Sequence, residues 1–123
     1  MEKISVDLNV LLADKAWDTL APTVADALTA SGIKVTESSA EIIEFSCQPD
    51  NMLLAEYQQK EGHLPIEESL QRVVINCEAP ADTDLRAVTK TVVSALPEGV
   101  YWYGSTNEGH LEPGADAACQ WRP

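Results

Sequence analysis

Basic residues are scarce in this chain: eight lysines and arginines stand against twenty acids, a formal charge of −12 over 123 residues. Phosphate backbones repel such a surface, so direct nucleic-acid binding is disfavoured, and electrostatic steering points instead to a basic protein partner. Acidity that serves only solubility is the competing explanation. Cysteine is sparse as well. Cys47, Cys77 and Cys119 are odd in number and scattered, which excludes a disulfide framework and fits a reducing cytosol. The N-terminus, Met-Glu-Lys-Ile-Ser-Val-Asp, carries neither the basic run nor the apolar core of a secretory signal. No run approaches the ~20 apolar residues that cross a bilayer. A cytoplasmic protein without membrane contact is expected.

The motifs of metal, cofactor and catalytic sites are also missing. The chain has no Cys-x-x-Cys, His-x-x-x-His or His-Glu-x-x-His, no Gly-x-Ser-x-Gly and no glycine-rich phosphate loop. A site built from Glu108, His110, Glu112 and Cys119 would mix hard and soft ligands on a Gly/Pro-rich loop, so no metal is expected there. No cofactor and no catalytic residue are assigned. Nucleophile–histidine sets assemble from distant positions, so a small enzyme using His63 or His110 stays open as an alternative.

What is present is hydrophobic periodicity. Ile4, Val6, Leu8 and Val10 alternate with Ser5, Asp7 and Asn9, the period-two signature of a strand with one buried face. Leu20, Val24 and Leu28 then recur at helical spacing, with Gly32 just past the end. Pro22 belongs in a first helical turn, so this helix is expected to begin near Thr19, after Trp17. Further strands are expected over 40–47, with Ile43, Phe45 and Cys47 on one face, over 71–78, and over 100–104. Between the last two, Leu85, Val88, Val92 and Leu96 mark a second helix, capped by Asp82 or Thr83.

The resulting order is β-α-β-β-α-β, and its halves echo each other. Ala13-Asp14, Val24 and Leu28 recur 68 residues later as Ala81-Asp82, Val92 and Leu96. This pattern predicts an α/β (α+β) sandwich of the split β-α-β, ferredoxin-like kind. Its antiparallel sheet is ordered 4-1-3-2, and the two helices lie on one face. A single domain spans 1–123, with its core over 3–104. The connection 48–70 is long enough to need structure of its own, with a helix from Asn51 to Lys60 stopped by Gly62. Residues 105–123 are expected to form a strap folded back on the sheet and anchored by Trp121.

The expected core is Ile4, Val6, Leu8, Leu20, Val24, Leu28, Phe45, Val73, Ile75, Val88, Val92, Leu96 and Trp102. With Trp102 inward, Tyr101 and Tyr103 point outward beside Ser5, Asp7, Asn9, Arg72 and Asn76. Exposed aromatics on a sheet suit base stacking, but Arg72 is the lone cation there, so a protein contact is the better use. The topology also brings the loop after the first strand and the 48–70 connection to the same end. Asp14 and Asp18 are thereby expected beside Glu56, Glu61, Glu67 and Glu68, with Tyr57 as an aromatic anchor. These residues, with Tyr101 and Tyr103, are the candidate partner-binding set. The function expected from them is that of a non-enzymatic acidic inhibitor, of the immunity-protein or nucleic-acid-mimic class. A small-molecule-binding or regulatory domain that dimerises through its sheet is the alternative.

Overall fold

The computed structural model describes residues 1–43 and 51–111. Strand β1 (Glu2–Ala13) lies at the centre of a four-stranded antiparallel sheet ordered β2-β3-β1-β4. Around it come α1 (Ala16–Ala30), β2 (Lys34–Ile43), α2 (Met52–Glu61), β3 (Glu68–Ala79), α3 (Leu85–Ser94) and β4 (Trp102–Glu108). β1 runs the length of β3, from Glu2 opposite Ala79 to Ala13 opposite Glu68. The α+β class and the strand order are those expected. α1 and α3 cover one face, where Ile4, Val6, Leu8 and Val10 of β1 and Val73, Ile75 and Cys77 of β3 meet Val24, Leu28, Val88 and Val92. The repeated helix positions are therefore two halves of one core.

Several boundaries differ from expectation, each for a local reason. Helix α1 starts at Ala16, three residues before Thr19. Lys15 takes a left-handed φ of 66° that turns the strand into the helix, and the early start buries Trp17 in the core. Pro22 stands in the second turn, where it removes one helical hydrogen bond, and its own ring is exposed. At the other end Gly32 adopts φ 83° and the Ile33 amide donates to the Leu28 carbonyl, closing the helix as expected.

Strand β2 is described over Lys34–Ile43, so it begins six residues before the expected 40, and residues 44–47, with Phe45 and Cys47, lie outside the described residues. A bulge between Val35 and Glu37 breaks the alternation that would have marked it. Helix α3 is capped by Asp84, whose carboxylate accepts from the Arg86 amide at 3.0 Å, and not by Asp82 or Thr83. The segment before it is a turn closed from the Thr83 amide to the Pro80 carbonyl.

Strand β4 runs to Glu108, so residues 105–108, expected in the strap, belong to the sheet. Its polar sequence hides it: Thr106 is buried and shares a hydrogen bond with Thr89 of α3 at 2.7 Å. Trp102 points to the helix side but sits at the sheet margin and stays 37% exposed, so it is not a core residue. Leu20 is only partly buried, packed against the core. Past β4 the chain turns back. Gly109 donates to the Lys3 carbonyl, and the Asn76 amide brackets Leu111 through both its oxygen and its nitrogen. The remainder of the expected strap, Trp121 included, lies outside the described residues.

Helix α2 is the third helix and covers the other face at one end. Asn51 caps it by accepting from the Leu53 amide at 2.9 Å, and Gly62 ends it at φ 82°. Leu53 and Leu54 pack on Leu11, Ile43 and Leu70, forming a second apolar cluster. Among the described residues no helix is long and apolar enough to cross a membrane.

Cys77 is fully buried, and burial pushes its thiol up to about 11. A thiol is charged only above its pKa, so the unfolded chain loses this proton first. The resulting stability is intact below the ordinary value of 9.0 and declines as pH rises toward about 11. Denaturant midpoints measured across that range should fall for the wild type more steeply than for Cys77→Ala. In the native state Cys77 should react with a thiol reagent only at the rate of opening.

Candidate functional site

The sheet face away from α1 and α3 is laid out in rows by the strand register. Ile43, Leu70 and Leu11 form an apolar row under α2, with Tyr101 alongside. The next row holds Glu41, Arg72, Asn9 and Tyr103, and the next Ser39, Val74, Asp7 and Ser105. Arg72 grips Asp7 with two hydrogen bonds, Nε to Oδ1 at 3.0 Å and Nη2 to Oδ2 at 2.9 Å. This bidentate pair neutralises the middle of the face.

Tyr101 and Tyr103 do lie on this face, but neither is the freely exposed aromatic expected. Both are partly buried against the α2 cluster. The Tyr103 hydroxyl accepts from Asn51 Nδ2 at 3.3 Å, tying the cap of α2 to β4. The Tyr57 ring lies 5.3 Å from that of Tyr101 and meets His63 edge-on at 5.9 Å. Lys60 closes the group: its ammonium is 3.1 Å from Glu56 and 5.5 Å from the Tyr101 ring centre.

Beside these rings opens a cleft of about 450 Å³. Its apolar floor comes from Leu11, Leu12 and Ala16, and its walls carry Tyr57, Tyr101 and the carboxylates of Glu61, Glu68 and Glu98. No lysine or arginine is among the described lining residues. Five segments converge to make it: the ends of β1 and α2, and the starts of α1, of β3 and of the segment leading into β4. The local field is visible on Tyr57. Its hydroxyl is held above the ordinary phenol range by partial burial, then by Glu68, Glu61, Tyr101 and Glu67. Lys60 is likewise held above its ordinary value, chiefly by its hydrogen bond to Glu56.

Of the expected set, Tyr57, Glu61, Glu68 and Tyr101 share this cleft, and Glu67 contributes its charge. Glu56 is engaged by Lys60 on the helix surface. Asp14 lies exposed in the β1–α1 turn at the same end. Asp18 borders a different hollow, formed by Trp17, Pro22 and Ser38–Ala40. Glu98 escaped the sequence reading. The signal was the topology itself, which brings the α3–β4 loop to the end of the sheet where β1 finishes.

The two histidines are separated. His63 meets Tyr57 edge-on and bonds the Leu64 carbonyl, whereas His110 bonds the Cys77 carbonyl at 2.8 Å. Among the described residues no three His, Cys, Asp or Glu side chains gather where they could hold a metal ion. In comparisons with protein-family models, curated proteins and solved structures, nothing matches this chain.

Proposed function

We propose that the protein is a non-enzymatic acidic binding protein that takes a basic segment of a protein partner into the Tyr57–Tyr101 cleft. An inhibitor or immunity protein that masks a partner's basic site acts in this way. The observation that carries the proposal is the convergence of two tyrosine rings and three carboxylates on one cleft with an apolar floor. A lysine or arginine entering it meets opposite charge at its tip and aromatic or apolar surface along its stem. Lys60 over Tyr101 is an internal instance of the same contact. The net charge of −12 adds long-range attraction that brings such a partner in.

A fluorescent octa-arginine peptide is a suitable probe. Neutralising Glu61, Glu68 and Glu98 together to Gln should weaken its binding roughly tenfold to hundredfold at low salt, and should flatten the salt dependence. A control that neutralises Glu2, Asp26 and Glu78, which lie away from the cleft, should change affinity little. Equal losses in the two variants would mean that the acids are only a solvated coat.

A further inference from the structure

β4 is the outer strand next to β1, and among the described residues no strand pairs with its far side. The phase of its backbone follows from two hydrogen bonds that flank it. Leu11 donates to the Tyr101 carbonyl, and Gly109 donates to the Lys3 carbonyl. In the antiparallel register these make the odd-numbered residues, Tyr101 to Gly109, the ones that exchange bonds with β1. Trp102, Gly104, Thr106 and Glu108 therefore aim their N–H and C=O groups outward.

Among the described residues, that edge lacks the usual protection. Trp102–Glu108 contains no proline, no lysine and one charge, in a chain whose net charge is −12. The opposite edge, β2, is guarded by a bulge and by Lys34, Glu37 and Glu41. Next to β4, Arg86 lines a hollow of about 290 Å³ with Thr89, Gly104 and Thr106, and Trp102 stands 37% exposed on the same side of the sheet.

We infer that two copies of this chain pair through their β4 edges, antiparallel about a two-fold axis at Ser105, to form a continuous eight-stranded sheet. The sequence suits its own copy in this register. Trp102 falls opposite Glu108 of the second copy and Gly104 opposite Thr106, so every outward-facing backbone group of β4 is used. Each indole then lies diagonal to Thr106 of the other copy and reaches the first turn of its α3, beside Arg86 in the hollow that Thr89 and Thr106 also line. Repulsion between two acidic copies is least along this seam, because it carries one acid per strand and has the exposed cations Arg86 and Lys90 beside it. The cleft at Tyr57 and Tyr101 lies on the other face and plays no part in the pairing.

The axis gives a direct test on the full chain. Two Ser105 residues face each other as a non-hydrogen-bonded pair, whose close Cα spacing suits a disulfide. Sedimentation should show a wild-type dimer with a dissociation constant at or below about 10 µM. Ser105→Cys should give a covalent dimer under mild oxidation, at a rate well above that of the wild type and of Asn107→Cys. Ser105→Lys, a change at an exposed position, should raise the dissociation constant at least ~tenfold while leaving the circular dichroism spectrum unchanged. A wild-type monomer throughout the accessible concentrations would overturn the inference. A dimer in which Asn107→Cys links as readily as Ser105→Cys would overturn it too.

Discussion

Alanine in place of Gly104 should destabilise the fold by about 3 kcal/mol or more, lowering the melting temperature by roughly 10 °C. Gly104 has φ 154°, and a Cβ there would lie 2.2 Å from the Asp7 carbonyl oxygen and 2.8 Å from the Leu8 Cα. Those atoms belong to the central strand, so neither can withdraw without disturbing β1 and with it the pairing to β3. Gly62 is the instructive contrast. It also has a left-handed φ, of 82°, but a Cβ there meets nothing within 4 Å. Gly62→Ala should therefore cost only the backbone term, about 1 kcal/mol. Thermal unfolding of the two variants side by side separates close approach from conformational strain.

The second large effect is expected at Leu8. Its side chain is 1% exposed in the cluster shared by β1, β3, α1 and α3, and its backbone is paired with Val73 on one side and Gly104 on the other. Truncation to alanine removes three carbons at the point where sheet and helices all meet. A loss on the order of 2–4 kcal/mol follows, the upper part of the range applying if the walls do not collapse. Urea unfolding should show a lower midpoint with an unchanged slope. A changed slope would mean that the compactness of one of the end states had been altered.

The parts of the fold that were legible in the sequence are those where one physical pattern dominates. β1 alternates without interruption because it is central and half-apolar, and β3 repeats that pattern. α2 announces itself by Asn51 at its start and Gly62 at its end, although its apolar pattern is weak. Legibility fails at the sheet edges. β2 carries a bulge and a polar run, and β4 buries only Thr106 among its last four residues. An edge strand is held by backbone bonds and by a single neighbour, so its side chains need not alternate. The start of helix α1 is hidden because Pro22 signals a first turn, whereas burial of Trp17 draws the helix start back to Ala16.

The candidate site divides in the same way. Tyr57, Glu61 and Glu68 were within reach because topology sets loops at one end of a sheet. Alternation puts Tyr101 on the correct face, but nothing local in the sequence indicates that α2 folds over it and half-buries it. Glu98 and Lys60 required three-dimensional contact to be recognised. Asp18 and Glu56 lie outside the cleft: Asp18 borders another hollow and Glu56 is engaged by Lys60.

The central claim, that the cleft and not the acidic surface at large receives a basic segment, is tested most directly by amide chemical-shift mapping with the octa-arginine peptide. Shifts that concentrate on Tyr57, Glu61, Glu68, Glu98 and Tyr101, and that vanish in the Glu61, Glu68 and Glu98 to Gln variant, are the predicted result. Shifts scattered over exposed acids such as Asp26 and Glu2, with the cleft amides unmoved, would contradict it.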